Sequence, residues 1–81
     1  MRVRFTEPFL GRFKKLPKET KSKFEKQLTF LLNNIQHPSL RAKKYDESRD
    51  IWQARVNSGV RFYFHIPDDI YIILNIIKHP K

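Results

Sequence analysis

IWQARVNSGVRFYFHI, residues 51–66, decides the fold. Val60, Phe62, Phe64 and Ile66 alternate with Arg61, Tyr63 and His65. Trp52, Ala54 and Val56 alternate in the same way with Ile51, Gln53 and Arg55. Successive side chains of a strand point to opposite faces, so each run reads as a half-buried strand. The pattern predicts strands over residues 50–56 and 60–66, joined by the turn NSG at 57–59, with Gly59 supplying the permissive backbone. A second turn, PDD at 67–69, leads into IYIILNII and a third strand over 70–77. Ile70, Ile72, Leu74 and Ile76 are expected on the covered face of this meander. Tyr71, Ile73, Asn75, Ile77 and His79 then look the other way.

Upstream the period changes. VRF, residues 3–5, reads as a short first strand. Thr6 can cap a helix, with Pro8 in its first turn. Phe9, Phe13 and Leu16 share one helical face. Pro17 starts a second helix, in which Phe24, Leu28, Leu31, Leu32 and Ile35 form an apolar stripe opposite Lys18, Lys21, Lys23 and Lys26. His37 and Pro38 end it, and residues 39–49, with many charges and no period, read as a loop. The expected fold is α+β in the order β-α-α-β-β-β, one domain over residues 1–81. A tight helix hairpin covers one face of a mostly antiparallel four-stranded sheet.

An 81-residue domain buries only about 60% of the surface of its unfolded chain. Seven Phe, one Trp and three Tyr thicken its core. The absence of cysteine excludes a disulfide framework and thiolate metal sites and fits a reducing compartment, here the cytoplasm. The N-terminus MRVRFTEPF lacks the apolar core of a signal peptide. The run at 70–77 is far short of the ~20 residues that span a bilayer, so no membrane role is expected. Net charge is +9, and all of it lies in residues 1–44, with 12 basic and 3 acidic side chains. Residues 45–81 carry 5 of each. Such a concentration of positive charge suits a nucleic acid or another polyanion.

The uncovered sheet face gathers Gln53, Arg55, Arg61, Tyr63, His65 and Asn75, with Lys43 and Lys44 in the loop leading to it. A wet sheet face is ordinarily polar, and each residue alone is unremarkable there. Together they place cations on a face without an acid, and a structural face would pair its arginines with carboxylates. Unpaired arginines suit phosphate, which their planar fork binds through two hydrogen bonds. The three histidines, at 37, 65 and 79, have no metal-ligand spacing, and no cofactor is expected.

FKKLPKE at 13–19, the loop lysines and above all IWQARVNSGVRFYFHIPDDIYIILNIIKH make the chain resemble the RelE/ParE superfamily of toxins from type II toxin–antitoxin systems. The resemblance implies a ribosome-dependent, metal-independent endoribonuclease that cleaves messenger RNA in the A site and inhibits translation. It also implies a cognate antitoxin, with the toxin either monomeric or held in a hetero-oligomer with that partner. Arg61 matches the arginine that steadies the scissile phosphate, and His79 a histidine of acid–base catalysis. Lys43 and Lys44 resemble lysines that bind RNA or activate the 2′-hydroxyl, a role in which Glu47 could replace them. Arg55, Gln53, His65, Lys78, Lys14 and Lys15 are expected to contact RNA. Many family members continue past the last strand with a tyrosine and a helix, where this sequence ends at HisProLys. Tyr63 or Tyr45 is expected to stack on a base instead. Two alternatives stand beside this one. A ParE-like inhibitor of DNA gyrase would not cut RNA, and its relatives generally lack the arginine–histidine set. A non-catalytic RNA-binding relative would keep the fold and the charge.

Overall fold

The structure, a computed structural model, describes residues 2–78. It holds β1 (Arg2–Phe5), α1 (Glu7–Phe13), α2 (Lys18–Asn33), β2 (Lys43–Asp46), β3 (Ile51–Asn57), β4 (Val60–His65) and β5 (Ile70–Lys78). The strands form one sheet in the order β1-β5-β4-β3-β2. β1 runs parallel to β5, and every other pair is antiparallel. α1 packs on β5 and α2 on β3, which leaves the other sheet face open.

The helix hairpin forms as its sequence requires. The Thr6 hydroxyl accepts from the Phe9 amide at 3.3 Å, and Pro8 stands in the first turn. The same hydroxyl shares its proton between the carbonyls of Ile73 at 3.1 Å and Leu74 at 2.9 Å. One side chain therefore caps α1 and ties it to the far end of the sequence. We expect Thr6→Ala to cost about 1–2 kcal/mol, as a lost cap and a lost tertiary bond. A lower urea midpoint at unchanged slope would show it.

The core is a run of aromatic contacts from helix to sheet. Phe9 meets Phe24 at 5.2 Å, Phe24 meets Phe62 edge-on at 5.1 Å, and Phe62 meets Phe64 at 5.6 Å. Leu31, Leu40, Val56, Ile73 and Ile76 close around them. The buried line of α2 is Phe24, Gln27 and Leu31. Leu32, expected in the stripe, lies at the solvent-facing margin, and Ile35 follows the helix end.

Three features differ from expectation. Residues 43–46 are a fifth strand rather than loop, paired through Lys43 with Gln53 and Lys44 with Trp52. Four residues are too few to show a period. In β5 the inward residues are Tyr71, Ile73 and Ile76, not Ile70, Ile72 and Leu74. Phe64 pairs with Ile73 and Tyr63 with Asn75, so Leu74 is an extra residue that reverses the alternation. Gly59 has no positive φ; the Asn57 side chain closes the turn by accepting from the Gly59 amide at 2.8 Å. The left-handed conformations among the described residues belong instead to Arg41, Asp50 and Asp68.

Candidate functional site

Arg55 and Arg61 face each other directly across the β3–β4 ladder. Like charges at such a position repel, since Cβ atoms there are about 5 Å apart. Both guanidinium groups lean on the turn. Arg61 donates through Nη1 to the carbonyls of Asn57 at 2.7 Å and Val60 at 3.2 Å, and Arg55 through Nε to Asn57 at 3.4 Å. A bulge at this end of β3 turns the Asn57 carbonyl toward the pair. Neutral carbonyls hold the two groups in place without cancelling their charge.

Arg41, Lys43 and Gln53 complete a depression of about 400 Å³ with these two arginines, floored by Ala54. Gln53 is nearly buried, between Lys43 on β2 and Tyr63 on β4. Among the described residues the ion pairs are Lys44–Asp50 and Arg49–Asp46, and neither touches this group. Four cations therefore line this depression with no carboxylate partner among the described residues. Arg41 is the member that sequence reading missed. It sits in the segment read as loop, and its backbone φ of 47° puts it in a region that residues other than glycine seldom adopt. Only its charge was visible beforehand.

Strand alternation separates the two loop lysines. Lys43 faces the depression, whereas Lys44 lies on the opposite side of β2. Its ammonium pairs with Asp50 and sits 5.0 Å from the Trp52 ring centre. The hydrogen bond to Asp50 holds the Lys44 pKa above the usual lysine value. Its ammonium is thus engaged with Asp50 on the side of β2 away from the depression. Glu47 lies exposed in the turn between β2 and β3 and does not line the depression.

His65 shares the open side of β4 but stands four residues from Arg61, roughly 13 Å along the strand. Its Nδ1 donates to the Asp50 carbonyl at 2.9 Å, which leaves Nε2 as the outward nitrogen. It is not part of the cation cluster. Tyr45 and Tyr63 meet edge-to-face at 5.0 Å on the open face, and Tyr45 is 58% exposed. Burial, then the neighbouring Tyr45, raises the Tyr63 hydroxyl pKa, against the opposing pull of Arg61. Lys14, Lys15 and Lys78 lie together with Arg12 along a groove of about 790 Å³ between α1 and the end of β5. His79 lies outside the described residues.

Asp46 carries the clearest acid-range signal. Arg49 donates to it through Nε at 2.7 Å and the backbone at 3.2 Å, and Ser48 through its hydroxyl at 2.8 Å. The Arg49 side chain, followed by Ser48, lowers its pKa from 3.8 to about 2. A carboxylate depressed on folding stabilises the fold above its unfolded pKa. That contribution is lost as pH falls from 3.8 toward 2. Asp50 shifts in the same direction through Lys44. Urea midpoints should fall over this window, and Arg49→Ala should flatten part of the fall.

No family model matches the chain, and no curated protein does. Solved structures share its fold. A YoeB/ParE toxin from Agrobacterium tumefaciens is similar over 99% of this chain and 100% of its own, with TM-score 0.82 and 9% identity. The archaeal RelE of the RelE–RelB complex from Pyrococcus horikoshii OT3 is similar over 95% and 92%, with TM-score 0.79 and 18% identity. In the intact E. coli RelBE toxin–antitoxin complex the figures are 99%, 98%, 0.74 and 20%. The fold is RelE-like. No described helix is long and apolar enough to cross a membrane.

Proposed function

We propose that this chain is the toxin of a type II toxin–antitoxin pair, a ribosome-dependent endoribonuclease that cuts messenger RNA in the A site and so stops translation. The observation that carries this reading is the cross-strand pair Arg55–Arg61, joined by Arg41 and Lys43 around a depression without carboxylates on a RelE-like fold. Cleavage by the 2′-oxygen needs a proton acceptor, a cation for the charge developing on phosphorus, and a donor for the leaving 5′-oxygen. Arg61 supplies the cation, with Arg55 and Arg41 beside it. Lys43 is proposed to contact the phosphate and polarise the 2′-hydroxyl, whose proton passes to solvent water or to a group of the ribosome. His79 is the proposed proton donor. The ribosome supplies substrate orientation, and no metal takes part in the proposed step.

Tyr45, on its exposed edge of the sheet, is proposed to stack on a base. The groove of Arg12, Lys14, Lys15 and Lys78 adds backbone contacts. The solved complexes with RelB support an antitoxin as the proposed partner, and the proposed target, messenger RNA on ribosomes, implies the cytoplasm.

Inducible expression in bacteria tests this. Growth arrest with transcripts cut inside reading frames supports the nuclease. Arrest with intact transcripts and inhibited gyrase favours the ParE-like alternative. In vitro, RNA affinity should weaken with salt. Four cations on single-stranded phosphates give a log–log slope of about −3. A flat response in a binding titration excludes the cation cluster as the contact.

A further inference from the structure

Gln27 stands on the buried line of α2 between Phe24 and Leu31 and is 1% exposed. An apolar side chain is the ordinary choice there, because a buried amide is costly unless every hydrogen bond is made. All of its bonds go to one place. Nε2 donates to the carbonyls of Ser39 at 3.1 Å and Arg55 at 2.8 Å, and Oε1 accepts from the Ser39 hydroxyl at 3.1 Å. Beside them the Arg55 amide donates to the Leu40 carbonyl at 2.7 Å.

These bonds join the two walls of the cationic depression. One wall is the segment after Ser39, which carries Arg41. The other is the sheet, which carries Arg55 and Arg61. Gln27 also lines a second depression of about 430 Å³, and Arg41 and Arg55 line both. The two arginines thus form a ridge with the carboxamide at its base. The left-handed backbone of Arg41 lies two residues past the Gln27 contact, where a tether is needed to hold it.

We infer that Gln27 is a positioning residue: it fixes the spacing of the Arg41 segment against Arg55 and Arg61, and thereby the cradle for the RNA phosphate. This rests on the nuclease reading for its functional consequence. Its structural content does not.

The test uses the full chain with Gln27→Met, which keeps the volume and removes the amide. Leu28→Ala, on the same helix and outside the network, is the control for lost core packing. The arginine Nε–H signals are followed by NMR during titration with inorganic phosphate, well below each unfolding midpoint. Gln27→Met is expected to move the Arg55 signal and weaken phosphate binding about tenfold, while Leu28→Ala leaves both as in wild type. With ribosomes and message, Gln27→Met should lower kcat by about 10–100-fold with little change in KM. Ser39→Ala removes the donor to Oε1, along with the hydroxyl's contact to His37 Nδ1 at 3.0 Å, and leaves the carboxamide in place. It should show the same changes at smaller size. Wild-type arginine signals and phosphate affinity in Gln27→Met, or in Ser39→Ala should Gln27→Met not fold, overturn the proposal. A wild-type chain that cuts no RNA but shows these shifts defeats the nuclease reading alone.

Discussion

Arg61→Ala is expected to slow messenger RNA cleavage by about 10²–10³-fold, the usual effect of removing one preorganised donor from a developing negative charge. The residue's setting is the reason for so large an effect. Its Nη1 is anchored on the Asn57 and Val60 carbonyls, so the rest of the guanidinium is held still over the depression. A fixed cation costs no reorganisation when the phosphorane forms. The fold should survive, because the change also relieves the repulsion across the ladder from Arg55. Arg61→Lys keeps the charge but loses the planar fork and the anchor, so it should recover only part of the rate. Single-turnover cleavage with ribosomes in excess measures this directly. Equal rates for wild type and Arg61→Ala would remove Arg61 from the mechanism.

Phe62→Ala should have the largest effect on stability. Its ring is fully buried and lies in the run of aromatic contacts between Phe24 and Phe64. Deleting a buried phenyl ring costs about 3–5 kcal/mol. At roughly 0.05–0.15 kcal/mol per residue, the whole domain of 81 residues holds only about 4–12 kcal/mol. The variant should therefore lose at least about a quarter of the domain's stability, and any loss of activity should follow its unfolding rather than the site. Melting followed by circular dichroism separates the two variants: Arg61→Ala melts near the wild-type temperature, and Phe62→Ala at a clearly lower one. Phe62→Leu, which keeps most of the volume, should restore folding and activity together.

The parts of this fold that rest on local rules were readable in the chain. Thr6 with Pro8 marks a helix start whatever surrounds it, and the alternation from Ile51 to Ile66 makes a hairpin on its own. The cross-strand meeting of Arg55 and Arg61 follows from that hairpin. The parts that rest on tertiary pairing were not readable. β2 exists because β3 offers it an edge, and KKYD by itself shows no period. IYIILNII is apolar on both alternations, so nothing local reveals that Leu74 is the extra residue or that Tyr71 and Ile73 point inward. Lys43 and Lys44 become distinct only once β2 gives them opposite faces. Gln27 and Arg41 were hidden for related reasons. A lone glutamine on an amphipathic helix reads as its polar margin, and a left-handed arginine carries no composition signal.

The most direct test of the cation cluster as an RNA-cutting site is cleavage of a defined, end-labelled message on ribosomes paused at a known codon. The purified chain should cut within the A-site codon and leave a 2′,3′-cyclic phosphate on the upstream fragment, the product of attack by the 2′-oxygen. Arg61→Ala should leave the message whole. An intact message beside wild-type chain shown to be folded and bound to the ribosome would contradict the nuclease reading, whatever the chain does to gyrase.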